Sequence, residues 1–206
     1  MSGPVVVVLA AGRGSRFSGL DHKLAQRFGA SSVLGTTLRQ VLASGLPMVV
    51  VTTAALAEVV RPSVATRDIV VLPEVGTPVP EPLGMGYSIA CGVSARPDAS
   101  GWLILPGDMP LVKPATLQLL ARELSHHTVV YAQHLGRRGH PVGFAAELYS
   151  ELVRLGGDEG ARRLVARYPA KGIEVDDPGV LIDIDTEVDL ENLRSGRLAA
   201  SLAQAR

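Results

Sequence analysis

Apolar residues fall in short continuous runs, each followed by a helical-period segment or a glycine-rich turn. Val5 to Leu9 is an unbroken aliphatic run, as expected for a strand covered on both faces. Ala10 to His22 is a Gly/Ser/Arg loop, and Val33 to Ser44 reads as a helix that stops at Gly45. Met48 to Thr52 predicts a second buried strand, Ala54 to Arg61 a helix ended by Pro62, and Asp68 to Leu72 a third strand. Pro73 to Gly86 is rich in Pro and Gly and predicts a rigid loop. Tyr87 to Ala95 predicts a short helix and Trp102 to Leu105 a fourth strand. Pro114 to Leu124 follows as a helix with Pro at its first position, and Thr128 to Ala132 as a fifth strand.

This alternation predicts an α/β fold with a doubly wound, mostly parallel sheet. After residue 132 the rhythm changes. Gln133 to Phe144 reads as a hairpin around Gly136 to Gly139, then come helices over Glu147 to Leu155 and Glu159 to Tyr168. Val180 to Asp185 reads as a late strand and Glu187 to Arg194 as a last helix, started by a Thr186/Asp189 capping box. The 206 residues suit one domain, with the change of rhythm dividing 1–132 from 133–194 and leaving 195–206 as a tail.

An apolar fraction of 47% excludes a disordered chain, and twenty basic against twenty acidic residues argue against a polybasic nucleic-acid binder. Seventeen of the twenty basic residues are Arg, which makes planar, two-pronged contacts to carboxylates and phosphates. The single cysteine, Cys91, supports neither an internal disulfide nor a Cys-based zinc site, and suits the cytoplasm. Pro4 to Ala11 is far shorter than a membrane span and has no basic residue before it, so neither a membrane segment nor a signal peptide is expected.

Several segments could carry chemistry. The first strand feeds into Leu9-Ala10-Ala11-Gly12-Arg13-Gly14-Ser15-Arg16-Phe17, with Lys23 beyond. Glycines and cations beyond the carboxyl end of a strand suit a phosphate. The alternative is a surface loop that merely contains glycines. Phe17 stands where a dinucleotide fingerprint needs its third Gly, and no Gly-Lys-Ser/Thr completes a Walker A motif. Gly107-Asp108-Met109-Pro110 places an acid after the fourth strand, as a Mg²⁺ ligand or as a helix cap. Asp183 and Asp185 alternate along Leu181-Ile182-Asp183-Ile184-Asp185-Thr186 and so share a face, where a cation would relieve their repulsion. Asp185 could instead simply precede the Thr186 cap. Gly84-Met85-Gly86-Tyr87-Ser88 opens a helix whose free N–H groups suit an anion or a base edge, or only an N-cap. Of the five histidines, His22, His126, His127 and His134 read as surface residues, whereas His140 sits in Arg137-Arg138-Gly139-His140-Pro141. Gly156-Gly157-Asp158-Glu159-Gly160-Ala161-Arg162 is another glycine turn into a helix, with Asp158 as a possible cap and Arg162 as a possible solvated charge.

In this order and spacing the segments resemble the nucleotidyltransferases of the MobA-like group, and within it the molybdenum cofactor cytidylyltransferases. The resemblance runs from residue 5 to about 194, and the Gly139-His140-Pro141 and Gly157-Asp158 to Arg162 pair is its most specific part. It implies a Rossmann-like three-layer α/β/α sandwich with a C-terminal hairpin and helical insertion over the active site. It further implies a nucleoside triphosphate bound by Leu9, Ala10, Ala11, Gly12, Arg13, Gly14, Arg16 and Lys23, with Gly84, Met85 and Ser88 completing the nucleotide site. Mg²⁺ or Mn²⁺ would sit on Asp108, with Asp183 and Asp185, and His140, Asp158 and Arg162 would face the acceptor. The implied reaction moves CMP from CTP to the phosphate of a pterin-type cofactor and releases pyrophosphate; Lys23, Arg16, Asp108 and His140 are its catalytic candidates. A molybdoenzyme or its chaperone would be the downstream partner, with no nucleic acid and no membrane involved. A spacer Ser18-Gly19-Leu20-Asp21-His22 stands where the group often has a shorter Met-Gly segment. The loop before Gly84 also lacks an Asn often found there. Other readings are an NAD(P)-dependent oxidoreductase of the nicotine-blue type, a sugar-phosphate nucleotidyltransferase, and a non-catalytic molybdenum cofactor carrier.

Overall fold

The computed structural model describes residues 2–12, 22–73 and 84–195. Along the chain run β1 (Val5–Ala10), a small ribbon β2 (Arg27–Phe28) and β3 (Ser31–Ser32), α1 (Val33–Ser44), β4 (Met48–Thr53), α2 (Ala54–Val60) and β5 (Ile69–Leu72). Then follow α3 (Met85–Ser94), β6 (Gly101–Pro106), α4 (Pro114–Glu123), β7 (Val129–His134), β8 (Arg137–Ala145), α5 (Tyr149–Leu152), α6 (Arg162–Arg167), β9 (Ala170–Glu174) and α7 (Glu187–Arg194).

One seven-stranded sheet has the order β5-β4-β1-β6-β8-β7-β9. All neighbours are parallel except β8, which is antiparallel to both β6 and β7. The aliphatic runs are explained by burial on two faces. Val6, Val8, Val50, Leu103 and Leu105 enter one core with Leu34 and Leu38 of α1, Leu56 of α2, Leu117 and Leu120 of α4 and Leu190 of α7. Val5, Val7, Val49, Val51, Trp102 and Ile104 enter the other, with Ile89 and Val93 of α3, Leu152 of α5 and Leu164 of α6. The result is the expected three-layer α/β/α sandwich. Gly92 lets α3 lie close on the sheet: a Cβ there would come within 2.4 Å of Val7 and 2.9 Å of Val51.

Local signals act at both ends of the chain. The Ser32 side chain caps α1, which ends at Gly45 with φ 70°, a conformation glycine adopts without strain. Thr186 and Asp189 form the capping box of α7.

The second half departs from the sequence reading in five ways. Val180 to Asp185 is not a strand. Pro178–Leu181 forms a 3₁₀ turn, capped by the Asp177 side chain on Gly179 N, and Ile184 N donates to Asp108 O at 3.0 Å instead of to a neighbouring strand. The edge beside β7 belongs to β9, a charged segment with no apolar signature. The helix expected from Glu147 is a 3₁₀ turn followed by the short α5, and α6 begins only at Arg162, after Gly160 takes φ 57°. The hairpin turns at Leu135-Gly136, both with positive φ, and β8 already starts at Arg137. His134 is not a surface residue: it is buried, and its Nδ1 lies 2.8 Å from Val175 O. No described helix is long and apolar enough to cross a membrane.

Candidate active site

The carboxyl ends of β1 and β6 are tied together, because Gly107 N donates to Leu9 O at 2.9 Å. A Cβ at Gly107 would sit 3.0 Å from that same oxygen. The buried Thr37 hydroxyl donates to Gly107 O at 2.9 Å, so α1 fixes the turn that presents Asp108. From the other side the Ile184 N–H holds Asp108 O, which brings the Asp183 to Asp185 segment to the same place. Lys23 arrives on a 3₁₀ turn after His22. Leu24 N donates to His22 Nδ1, which leaves the protonated Nε2 to donate to Gly12 O at 2.8 Å. His22 thus pins Lys23 to the end of β1.

These anchors make a three-residue cluster. Lys23 Nζ donates to Asp108 Oδ2 at 2.6 Å and to Asp185 Oδ1 at 3.1 Å. The Lys23 and Asp108 side chains are only 14% and 15% exposed, so the pair lies in a partly desolvated setting. Burial alone would lower the Lys23 pKa, but the charges and hydrogen bonds of Asp108 and Asp185 outweigh it and hold the ammonium above its usual value. Asp108 Oδ1 is buried with no hydrogen-bond partner among the described residues. A buried carboxylate oxygen left unmatched costs free energy unless a ligand satisfies it. Burial also raises the Asp183 pKa, and the Asp185 and Asp108 charges push the same way. His140 feels Asp108 and Asp183 too, yet burial dominates and lowers its pKa, which favours the neutral imidazole. The His140–Pro141 peptide is cis.

Among the described residues no three His, Cys, Asp or Glu side chains form a ready-made metal cage. A cation such as Mg²⁺ keeps waters and takes one or two carboxylates plus substrate phosphates. Asp108, with its unmatched oxygen, and the partly solvated Asp183 supply such a donor set, while Asp185 is engaged by Lys23.

Of the other sequence candidates, Leu9, Ala10, Ala11 and Gly12 form the end of β1 and the turn after it. A Cβ on Gly12 would meet none of the described residues within 4 Å. Arg13, Gly14 and Arg16 lie outside the described residues, as does the segment 74–83. Gly84 caps α3 without a side-chain bond, Met85 is exposed, and Ser88 N donates to Gly84 O at 3.2 Å. The two glycine motifs that sequence reading treated separately meet backbone to backbone: Gly86 N donates to Gly157 O at 2.9 Å. A Cβ on Gly84 would lie 2.2 Å from Gly157 C and O. Asp158 and Arg162 are exposed near this junction. No hydrogen bond or ion pair among the described residues links them to His140, which faces the Asp108 side.

Two residues escaped sequence reading. Asp177, 1% exposed, accepts from Lys113 N at 2.8 Å, Thr116 Oγ1 at 2.6 Å and Gly179 N at 3.1 Å. It fastens the start of the 178–185 segment to α4. Glu174 accepts from the N–H groups of Leu135 and Gly136 and thereby holds the β7–β8 turn. Neither has a motif; the Pro178-Gly179 turn after Asp177 was the available hint.

Known proteins share this arrangement. A solved structure of Rv0371c from Mycobacterium tuberculosis superposes with a TM-score of 0.79 at 29% identity, covering 94% of this chain and 98% of that one. A further structure of Rv0371c is a complex with manganese. A nucleotidyl transferase from Methanothermobacter thermautotroptrophicus superposes with a TM-score of 0.76 at 26% identity, covering 96% and 99%. Among curated relatives, the bifunctional protein GlmU of Halorhodospira halophila is 34% identical over 121 residues, covering 58% of this chain and 24% of that protein. The chain spans about a quarter of the length of the first GlmU relatives it matches. The description of the MobA-like NTP transferase domain matches residues 6–172, which takes in β1, Lys23, Asp108 and His140. By that match the chain belongs to the MobA-like NTP transferase domain family.

Proposed function

We propose that this nucleotidyltransferase-family chain transfers CMP from CTP to the phosphate of a molybdopterin-type acceptor, with release of pyrophosphate. The observation that carries the reading is the Lys23–Asp108–Asp185 cluster beyond β1 and β6, with Asp108 Oδ1 buried and unmatched. In an open α/β sheet ligands bind at that end of the strands.

An oxygen of the acceptor phosphate attacks the α-phosphorus of CTP; the bond to the bridging oxygen breaks, and pyrophosphate takes the electron pair. The acceptor is already an anion, so no Ser or Cys nucleophile is required. Catalysis is positioning and charge neutralisation. The turn Ala10-Ala11-Gly12 would receive the triphosphate, and Arg13, Gly14 and Arg16, outside the described residues, keep their expected role in binding it. Lys23 leaves its carboxylate partners to follow the β- and γ-phosphates and neutralises the departing pyrophosphate; a compact charge on a flexible stem suits that movement. Asp108, with Asp183, would hold Mg²⁺ or Mn²⁺, which supplies Lewis-acid polarisation of an α-phosphate oxygen. Asp185 receives Lys23 when no nucleotide is bound. Gly84, Met85 and Ser88 stand at the start of α3 for the nucleoside, and neutral His140 hydrogen-bonds the acceptor without adding charge. Asp158 and Arg162 keep an assignment to the acceptor on their exposure. A molybdoenzyme or its chaperone would receive the product.

The test is pyrophosphate release from CTP and a molybdopterin acceptor, with a sugar 1-phosphate and NADPH oxidation as parallel arms. Release with the pterin phosphate supports the reading. Turnover only with the sugar phosphate, or NADPH oxidation alone, overturns it.

A further inference from the structure

In the reaction above Lys23 changes partners, so its backbone must stay where the ammonium reaches both the carboxylates and the phosphates. The stretch that carries it is tied down from two sides. Upstream, the His22 imidazole bridges two segments: Nε2 donates to Gly12 O at 2.8 Å, and Nδ1 accepts from Leu24 N at 3.2 Å. Downstream, Arg27 O accepts from Nε of Arg194 at 3.1 Å and from Nη2 of the same guanidinium. Between these ties Val33 N donates to Gln26 O at 2.9 Å, and the Leu24 side chain is buried in the first core.

Arg194 closes α7, and the capping box that opens α7 follows directly on Asp185, the second carboxylate on Lys23. The result is a ring. It runs from Asp185 along α7 to Arg194, across to Arg27, back along the chain to Lys23, and across the 3.1 Å contact to Asp185. Leu190 seats the helix in the first core, and Leu193 and Phe28, beside Arg194 and Arg27, pack against the same core. A stretch held at several points has less freedom to lose when a ligand arrives, and its charged group is met in a productive place.

We infer that His22 and Arg194 are positioning residues for Lys23, holding the 22–27 stretch between the end of β1 and α7 so that a nucleoside triphosphate meets the ammonium already in place. The inference rests on the nucleotidyl-transfer reading above. Neither side chain is assigned to the substrate; they act through the backbone carbonyls of Gly12 and Arg27. For His22 the working bond is the one to Gly12, since its bond to Leu24 N is a local cap of the kind many side chains give.

Lys23, Lys113 and Lys171 are the only lysines of the chain, so competitive amine acetylation read by mass spectrometry reports each one separately. Lys113 and Lys171 do not belong to the ring and serve as internal references. His22→Ala and Arg194→Ala should each raise the Lys23 rate relative to Lys171 by at least ~3-fold, the scale of one ordinary hydrogen bond, and bind α,β-methylene-CTP with Mg²⁺ more weakly by a similar factor. His22→Gln places a nitrogen like Nε2 and keeps the tie to Gly12, so it should stay near the parent in both readouts. His22→Asn places an oxygen like Nδ1, keeps only the cap on Leu24 N, and should behave like the alanine variant. Arg194→Lys keeps one donor and should fall between Arg194→Ala and the parent. A Lys23 rate at the parent's level in either alanine variant overturns the assignment of that residue. His22→Asn matching the parent while His22→Gln does not overturns it too, because His22 is then only a cap. So does faster Lys23 labelling with unchanged analogue affinity, because the ties then do nothing for the ligand, and so does an equal rise at Lys113, because the chain is then loosened as a whole. If the analogue does not bind the parent, the nucleotidyl-transfer reading falls, and the labelling rates still decide whether the two residues hold Lys23.

Discussion

Asp177→Ala should destabilise the protein far more than a typical change between elements. The carboxylate is buried and accepts three hydrogen bonds, from Lys113 N, Thr116 Oγ1 and Gly179 N. Lys113 is exposed, so water can replace its partner; Thr116 and Gly179 are buried and would be left unmatched. Each such donor costs about 1–3 kcal/mol, the Gly179 bond being also the cap of the 178–181 turn, for a total of about 3 kcal/mol. At about 2–4 °C per kcal/mol for a chain of this size, the melting temperature should fall by about 6–12 °C. Asp177→Asn keeps one carbonyl oxygen but turns an NH₂ toward a donor, so it should fall between the two. Because Asp177 also starts the segment that carries Asp183 and Asp185, the Ala variant should bind nucleotide more weakly under conditions where it is still folded. Calorimetric melting, with urea unfolding as a second probe, is the assay. A melting temperature within ~2 °C of the parent would refute the argument that Asp177 ties this segment down.

Gly84→Ala places a Cβ 2.2 Å from the Gly157 backbone, so it should cost about 1–3 kcal/mol, whereas Gly156→Ala meets nothing and should stay within ~0.5 kcal/mol; urea unfolding compares them. Lys23→Ala should weaken triphosphate binding and Lys171→Ala should not, because only Lys23 belongs to the Asp108 cluster; equal affinities by titration would contradict the assignment. On the proposed reading the Ala11 methyl leaves less room for a purine, so CTP should outcompete GTP by about 10–200-fold and Ala11→Gly should reduce the margin; competition at equal concentrations reads it.

The sheet was legible because its central strands are buried on both faces, and Val5 to Leu9 or Met48 to Thr52 can be little else. Gly45 and the Thr186/Asp189 box marked helix ends through local backbone geometry and hydrogen bonds that need no tertiary context, while the Ser32 cap of α1 was not read. The edge strand β9 escaped because Ala-Lys-Gly-Ile-Glu buries only Ile173. Val180 to Ile184 misled because it alternates like a strand: Ile182 and Ile184 are buried and Asp183 is exposed, while its backbone bonds go to a turn and to Asp108 O. That alternation is why the pairing of Asp183 with the Asp108 region was readable although the element was not. In the site, the residue types at the carboxyl ends of strands pointed to Lys23 and Asp108, but their direct contact spans 85 positions and has no local signature. The glycines near 84 and 157 read as separate turns into helices, whereas Gly84 and Gly86 make room for the Gly156 and Gly157 backbone, a constraint only the folded chain imposes.

The central claim is that the Lys23–Asp108–Asp185 cluster binds a nucleoside triphosphate with a divalent cation. The most direct measurement is the shift in melting temperature of the parent and of Asp108→Asn with CTP, GTP, ATP, UTP or NADPH, each with and without Mg²⁺. At 100 times its dissociation constant a ligand adds ~2.7 kcal/mol, about 5–11 °C for this chain. The account predicts that shift for CTP with Mg²⁺ on the parent, little for NADPH, and a near-parent melting temperature but a lost CTP shift for Asp108→Asn. Stabilisation by NADPH alone, or an undiminished CTP shift in Asp108→Asn, would contradict it.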